Sequence, residues 1–282
     1  SYFIDTIQPE IIFFSEEKKH EYEILLSNKS KIKKFILDKK NQKFIDEIVK
    51  LKEYYFIESI EEDDIASIIF TSGTTGKSKG AMLTHKNLQS NAEALVNIWE
   101  INHRDVLIHA LPIFHVHGLF VALNTILISG AKMIFFQRFS PNAIIEKLNE
   151  ATLMMGIPTF YSRLLSNNNF NKKKCKNIRL FISGSAPLTE IIFHEFYSKI
   201  GQKILERYGM SEAGMISSNP LRGDRRAGTV GFALPNVEIR VCDDSGKVLP
   251  VNSSGNVEVK GPNVFRGYWQ LEEKTKKGIG SD

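Results

Sequence analysis

The stretch "IIFTSGTTGKSKGAMLTHKNL", residues 68–88, carries the pattern that decides the fold. An apolar run, typical of a buried strand, leads into a loop at residues 71–80 that contains three glycines, five hydroxyl side chains and two lysines. Thr84 then stands where a helix N-cap is expected, and apolar side chains follow it at the helical spacing of 3.6 residues. The stretch therefore predicts a strand–loop–helix unit.

The composition of the loop at 71–80 indicates phosphate binding. Its glycines allow close approach of the backbone to an anion, its hydroxyls can donate hydrogen bonds, and Lys77 and Lys79 add positive charge. A flexible surface linker of similar composition remains the alternative. The P-loop of kinases and GTPases is excluded, because it requires glycine five positions before the final Gly-Lys-Ser and position 71 is threonine.

Composition places the chain among ordinary globular proteins. Of its 282 residues, 42% are hydrophobic and 24% charged, with 37 basic against 32 acidic side chains. The basic surplus lies in short runs such as 172–174, without interleaved aromatic residues, so we do not expect a nucleic-acid partner. No apolar run of membrane-spanning length occurs, and the two cysteines lie far apart. These observations favour a cytoplasmic protein without membrane insertion.

Further along the chain, short apolar runs alternate with polar loops and helical patterns, which predicts an α/β fold. Its loops should gather at the carboxyl ends of parallel strands, where ligands bind. After residue 230 the pattern changes to short alternating strands. We therefore expect an α/β domain at 1–230, incomplete at its start, and a small antiparallel β subdomain at 231–282.

Two more segments combine small or polar residues with possible ligand chemistry. "ERYGMSE", residues 206–212, offers a ring that could stack on a purine at Tyr208, a hydroxyl at Ser211 and a carboxylate for Mg²⁺ at Glu212. "SGSAPL", residues 183–188, is small enough for a flat base to lie on its backbone. Each segment taken alone could equally be an ordinary strand end or strand-to-helix turn.

Five segments in order resemble the signature motifs of the adenylate-forming (AMP-binding) superfamily of acyl-CoA synthetases, luciferases and peptide-synthetase adenylation domains. They are "IIFTSGTTGKSKGAMLTHKNL", "LPIFHVHG", "ISGSAPL", "ERYGMSE" and "GPNVFRGYW". Within that superfamily, "VLIHALPIFHVHGLFVA", "MGIPTFYSRLL" and "GMISSNPLRGDRRAGTVGFALP" are most similar to malonyl-CoA synthetases. The resemblance implies the central part of a large α/β domain with mainly parallel sheets.

The resemblance implies an acid–thiol ligase that uses ATP, Mg²⁺ and coenzyme A. A small carboxylic acid, malonate by this similarity, would form an acyl-adenylate and then a CoA thioester. Lys79, His115 and Glu212 would be catalytic, with Thr71 and Glu212 at the metal. The nucleotide would be bound by Thr71, Ser72, Gly73, Thr74, Thr75, Gly76, Lys77, Lys79, Gly184, Ser185, Ala186, Glu206, Arg207, Tyr208, Gly209, Met210 and Ser211.

The acid pocket that the resemblance implies includes His115 and His117, and each could instead be an ordinary buried imidazole. A dicarboxylate needs a charge-assisted partner for its second carboxylate. Arg225 is the candidate, and Arg226 is the less favoured alternative. The other interpretation is a surface arginine that contacts solvent. Variants of Arg225 should therefore lose more activity with malonate than with a monocarboxylate.

The chain departs from the family pattern at its end, where "GSD" stands in place of the Thr-Gly-Asp motif and makes Asp282 a doubtful match. From the resemblance, we expect these residues not to include the family's C-terminal domain, which carries the adenylation lysine. We therefore expect the chain to be inactive alone. The alternatives are a synthetase for methylmalonate-like or short monocarboxylic acids, and an inactive nucleotide-binding relative. The oligomeric state is not predicted.

Overall fold

The computed structural model describes residues 2–38, 42–51, 53, 56–71 and 78–280. The chain divides into two compact units, Ser1–Ser59 and Ile60–Asp282. All predicted site residues belong to the second unit. The boundary expected near residue 230 remains a prediction.

The first unit is a small α/β element. Its parallel strands β1 and β2 pair Phe13 with Phe35, whose rings stack with centroids 5.3 Å apart. Phe14 points the other way along β1, is buried, and stacks on Tyr22 at 5.0 Å. The elements are α1 (Tyr2–Ile7), β1 (Ile11–Ser15), a 3₁₀ turn (Glu16–Lys18), α2 (Lys19–Leu25), β2 (Lys33–Leu37) and α3 (Gln42–Val49).

The second unit contains the remaining elements. Its strands are β3 (Ile65–Thr71), β4 (Lys79–Thr84), β5 (Val106–His109), β6 (Lys132–Phe135), β7 (Leu153–Gly156), β8 (Leu180–Ser183), β9 (Leu205–Met210), β10 (Gly214–Ser218), β11 (Phe232–Ala233), β12 (Glu238–Cys242), β13 (Asn256–Lys260) and β14 (Gly267–Tyr268). Its helices are α4 (His85–Ile98), a π-helix (His117–Leu123), α5 (Asn124–Ser129), α6 (Pro141–Lys147), a 3₁₀ turn (Leu148–Glu150), α7 (Pro158–Leu165), α8 (Glu190–Ile200) and α9 (Glu272–Gly278).

The central sheet has the order β11–β10–β9–β8–β7–β5–β6 within the described residues. Strands β5 to β9 run parallel, β10 pairs antiparallel with β9, and β11 pairs antiparallel with β10. Strands β7 and β8 are buried along their whole length, as expected for a parallel sheet covered on both faces. The predicted α/β fold is confirmed. Strands β12 and β13 form the expected antiparallel pair.

The predicted strand–loop–helix unit at residues 65–98 is wrong in one respect. Residues 79–84 form β4, which pairs antiparallel with β3 on one side and with β14 on the other. Strands β3 and β4 therefore belong to a three-stranded sheet that is separate from the central sheet. The small and apolar side chains of β4 suit a strand between two neighbours; Ala81 and Leu83 are buried there.

Helix α4 begins where the sequence predicts. The Thr84 hydroxyl accepts from the Asn87 backbone N–H at 3.2 Å, and the Asn87 side chain accepts from the Thr84 N–H at 2.9 Å. At its other end Trp99 is fully buried, and its indole N–H donates to the Ser218 hydroxyl at 3.0 Å. In the described part of the chain, no helix is long and apolar enough to cross a membrane.

Candidate active site

The polar loops of the second unit follow the carboxyl ends of the parallel strands. Residues 110–116 follow β5, residues 184–188 follow β8, and residues 211–213 join β9 to β10. This is the edge at which α/β sheets bind ligands. The predicted site residues at 115–117, 184–186 and 206–212 therefore lie along one edge.

The base of the hairpin loop is linked to the β9–β10 turn through Tyr268. The Lys79 ammonium donates to the Tyr268 hydroxyl at 3.3 Å and lies 4.4 Å from the centre of its ring. The same hydroxyl donates to Glu212 Oε1 at 2.8 Å. Lys79 and Glu212, two residues predicted to be catalytic, thus share one partner.

The proposed metal residues offer oxygen ligands, which suit Mg²⁺. Thr71 ends β3 and pairs with Lys79, and its hydroxyl lies 3.5 Å from the Lys79 carbonyl oxygen. Glu212 is half-buried. Since Mg²⁺ at nucleotide sites is held by one or two protein groups together with phosphates, this donor set fits the ion. The metal assignment stays a prediction.

His117 and Ser185 bring the predicted acid pocket against the predicted nucleotide segment. His117 Nδ1 lies 3.1 Å from the Ser185 hydroxyl, across the gap between the β5 and β8 loops. The imidazole is buried, and burial, together with the positive charge of Arg207, holds the pKa of His117 well below its usual value. His117 is therefore neutral near pH 7.

Arg207 is buried beside this site, and no ion pair to it is present among the described residues. The residue is 3% exposed, and its Nε and Nη2 atoms have no hydrogen-bond partner among the described residues. Burial lowers its pKa to about 9, so the guanidinium still carries a proton at neutral pH. Buried donors without partners are rare in native structures and mark positions for a water or a ligand.

Gly184 is required by the position of Arg207. A Cβ atom on Gly184 would lie 2.5 Å from Arg207 Nε and 2.6 Å from Nη1. The guanidinium thus lies directly on the backbone where β8 ends. Other buried polar atoms in this region also have no described partner: His109 Nε2, His117 Nε2 and Ser183 Oγ.

Tyr208 and Gly209 form the outer part of the β9 end. Tyr208 is 40% exposed, so its ring is available for stacking on a base. A side chain at Gly209 would collide with the backbone of β10, because Met215 Cα would lie 2.8 Å from its Cβ. Met210 is exposed at the end of the strand, and Ser211 is half-buried in the turn. Their nucleotide roles stay predictions.

Glu206 stabilises the neighbouring loop at residues 184–188. Its Oε1 accepts the backbone N–H of Leu188 at 2.8 Å, which connects β9 to the 184–188 loop. Burial raises the pKa of its carboxyl group. Ser185 and Ala186 are exposed at the start of that loop, and Ser185 adopts a positive φ of 69°. Glu206 therefore contributes to the predicted nucleotide segment by holding its shape.

Arg225 has partners that sequence reasoning did not foresee. Its Nε, Nη1 and Nη2 donate to the carbonyl oxygens of Pro220, Lys203 and Leu221 at 3.0, 2.6 and 2.7 Å. Arg226 is exposed and pairs with Asp224 at 3.3 Å. The guanidinium of Arg225 therefore already stabilises its own loop. Its binding of a second carboxylate stays a prediction.

His115 is exposed in the loop after β5, with its ring 4.5 Å from that of Phe114. Its assignment beside the reacting carboxylate stays a prediction. Residues 72–77, which hold most of the predicted phosphate loop including Lys77, lie outside the described residues, as does Asp282.

Tyr268 and His109 are site residues that sequence reasoning missed. Tyr268 lies in the motif "GPNVFRGYW". An ionisable side chain inside a signature motif is the feature that could have identified it as a site residue. His109 ends β5, and the proximity of its buried imidazole contributes to the low pKa of His117. A histidine inside an apolar run gives no indication of such a neighbour.

The family model for AMP-binding enzymes matches residues 1–269, and the chain belongs to this family. A malonate–CoA ligase of Arabidopsis thaliana is 39% identical over 240 residues, covering 78% of this chain and 39% of that protein. A mitochondrial malonate–CoA ligase of Mus musculus is 38% identical over 260 residues, covering 80% and 45%. The crystal structure of ATP-bound MatB from Rhodopseudomonas palustris is 45% identical with a TM-score of 0.96, and covers 100% of this chain and 56% of that one.

The chain thus spans less than two thirds of the length of these relatives. The resemblance to the adenylate-forming superfamily is confirmed over most of the chain. The name of the mouse relative assigns that protein to mitochondria. A cytoplasmic location for this chain stays a prediction.

Proposed function

We propose that this chain provides the nucleotide and acid sites of an ATP-dependent acid–CoA ligase that activates malonate. The general class, an acid–CoA ligase, is supported by family membership and by relatives named malonate–CoA ligases. The preference for a dicarboxylate is supported by one observation above all. Arg207 is a buried cation beside His117 and Ser185, and two of its donors have no partner within the described part of the chain.

The nucleotide would lie along the ends of β8 and β9. Tyr208 would stack on adenine against Gly184 to Ala186, and Ser211 would reach the α-phosphate. Lys79, with the loop at 71–80, would offset the charge on the leaving pyrophosphate. Glu212 and Thr71 would hold Mg²⁺, which polarises phosphoryl oxygens as a Lewis acid when bound.

The acid would lie between the β5 loop and the end of β9. Its distal carboxylate would accept hydrogen bonds from Arg207, which removes the cost of that buried, unpaired cation. His117 stays neutral beside it, so it adds a hydrogen bond without a second buried charge. A monocarboxylate would leave Arg207 unpaired and bind less well.

The chemistry comprises two displacements. In the first, a carboxylate oxygen of the acid attacks the α-phosphorus of ATP, and the bond to the bridging oxygen breaks to release pyrophosphate. In the second, the CoA sulfur attacks the acyl carbon, the thiol loses its proton, and AMP leaves. The residues of this chain would orient the reactants and stabilise the developing phosphate charge.

The test is acid-dependent exchange of labelled pyrophosphate into ATP by the full-length protein. We expect exchange with malonate to exceed exchange with acetate by at least about tenfold, the factor that corresponds to about 1.4 kcal/mol. Equal exchange with both acids would overturn the dicarboxylate preference. ATP binding without exchange for any acid would favour an inactive nucleotide-binding relative.

We further propose that the 282-residue chain does not form malonyl-CoA alone. The proposal is supported by coverage, since the chain spans 56% of the ATP-bound bacterial structure. Malonyl-CoA formation by the 282-residue chain, measured beside the full-length protein, decides the point. Turnover within tenfold of the full-length protein would contradict it.

A further inference from the structure

Tyr268 occupies a central position in the contacts between the predicted catalytic groups. Its hydroxyl accepts from Lys79 at 3.3 Å and donates to Glu212 at 2.8 Å. The phenol therefore connects a cation and a carboxylate through its one hydroxyl.

The position of Tyr268 is fixed by its surroundings. It is 8% exposed, pairs with Ala81 across β14 and β4, and packs edge-on against Phe265 at 4.8 Å. Its backbone N–H donates to the Thr275 hydroxyl at 2.9 Å, which ties β14 to α9. A hydroxyl held this firmly has little freedom to turn away from its two partners.

The turn that carries Glu212 is attached to the same segment. The Glu212 carbonyl oxygen accepts the backbone N–H of Phe265 at 2.8 Å, so both its main chain and its side chain are bound to residues 265–268. A phenol hydroxyl can both donate and accept, as that of Tyr268 does between Glu212 and Lys79.

We propose that Tyr268 is a positioning residue that orients the Glu212 carboxylate toward the nucleotide-bound Mg²⁺ and keeps Lys79 from pairing with it. The inference rests on the proposed function, because it concerns the metal and phosphate groups of that site. Tyr268 acts through Glu212 and Lys79 and need not contact the reactants. Its loss should therefore change the metal requirement more than the affinity for the acid.

The experiment compares the Tyr268→Phe variant of the full-length protein with the unmodified full-length protein. Phenylalanine keeps the ring against Phe265 and over Lys79, and removes only the hydroxyl. We expect the Mg²⁺ concentration for half-maximal pyrophosphate exchange to rise about tenfold, with the KM for malonate unchanged and exchange restored by excess Mg²⁺. An unchanged Mg²⁺ requirement in a folded, active variant would overturn the proposal.

Thr275→Ala is the matched control. It removes the acceptor for the Tyr268 backbone N–H but leaves the hydroxyl with both partners. A purely structural role for this segment would give Thr275→Ala and Tyr268→Phe the same Mg²⁺ response, which would also overturn the proposal. We expect a lower melting temperature for Thr275→Ala, with its Mg²⁺ requirement unchanged.

Calorimetric titration of ATP at several Mg²⁺ concentrations supplies a measurement independent of turnover. We expect weaker Mg²⁺-dependent ATP binding by Tyr268→Phe and unaltered binding by Thr275→Ala. This separates the two proposals: absence of acid-dependent exchange by the unmodified protein would refute the ligase function, whereas identical Mg²⁺-dependent binding by both variants would refute the role of Tyr268.

Discussion

The guanidinium of Arg207 lies against the backbone of Gly184, so closely that a single methyl group there would displace it. The contact joins the end of β9 to the end of β8 and fixes a buried positive charge behind the loop expected to hold adenine. A side chain one atom larger than glycine could not coexist with this arrangement. The acid and nucleotide sites would therefore share one wall.

Replacing Arg207 by methionine should separate activity from stability. Charged hydrogen bonds contribute about 1.5–3 kcal/mol each, so we expect about a 10- to 100-fold loss of kcat/KM for malonate and a much smaller loss for acetate. The melting temperature should be unchanged or higher, because the variant removes a buried cation without a described partner. A marked loss of stability would show that Arg207 has a structural partner instead.

Arg225→Met provides the comparison. Its guanidinium donates to three carbonyl oxygens, and their loss leaves acceptors unpaired at about 1–3 kcal/mol each where they are buried. We expect a lower melting temperature and equal losses of malonate and acetate activity. The sequence-based prediction is the reverse, a selective loss of malonate, and the ratio of the two activities decides between Arg207 and Arg225.

Gly184→Ala should reproduce the effect of losing Arg207 without touching that residue. The new methyl group must push the guanidinium aside, so we expect at least about a tenfold loss of malonate-dependent exchange, equivalent to about 1.4 kcal/mol. Gly280→Ala is the control, since a Cβ there meets nothing within 4 Å. Full activity of Gly184→Ala would show that Arg207 can move at no cost.

The free energy of unfolding should decrease in mild acid because of His117. Its pKa is depressed in the folded chain, so below about pH 6.5 the unfolded state binds a proton that the folded state does not. The free energy of unfolding should then decrease by up to about 1.4 kcal/mol per pH unit for this group, and His109, whose pKa is also lowered, adds to the slope.

Urea unfolding at pH 7.5 and 5.5 checks this pH dependence. We expect His117→Gln to reduce the difference between the two pH values, and His194→Gln, a substitution at an exposed position, to leave it unchanged. The same difference in His117→Gln as in the unmodified protein would contradict the assignment.

Thr84→Ala should destabilise the second unit. The substitution removes the hydroxyl that accepts the Asn87 N–H, and loss of an N-cap costs about 0.5–2 kcal/mol. Thr84→Ser, which retains the hydroxyl, should be close to neutral. Chemical denaturation of the three proteins gives the comparison, and equal stability of the Ala and Ser variants would show that the cap contributes nothing.

The sequence predicts those features that depend on local pattern. The cap at Thr84, the buried runs of β7 and β8, and the order of the motifs follow from spacing and residue type. Strand β4 is harder to predict, because it begins inside the polar loop pattern at 71–80 and one of its two neighbours, β14, lies nearly two hundred positions away. The same reason explains Tyr268, whose partners Lys79 and Glu212 come from separate parts of the chain.

The charge of Arg207 is visible in the sequence, but its lack of partners is not. Burial and hydrogen bonding depend on the packing of β8 against β9, which no window of residues encodes. The partners of Arg225 are equally hidden in the sequence. Nothing in "GDRRAG" indicates that its guanidinium donates to three carbonyl oxygens.

The hairpin formed by β3 and β4 determines how phosphate charge can be balanced. In a P-loop the anion lies at the start of a helix and is stabilised by the helix dipole. Here the chain returns as a strand after the loop, and the first turn of α4 lies at the far end of β4, capped by its own side chains. Under the proposed function, phosphate binding would depend on lysine and metal charges and not on the dipole of α4, and we expect nucleotide affinity to decrease steeply as ionic strength rises.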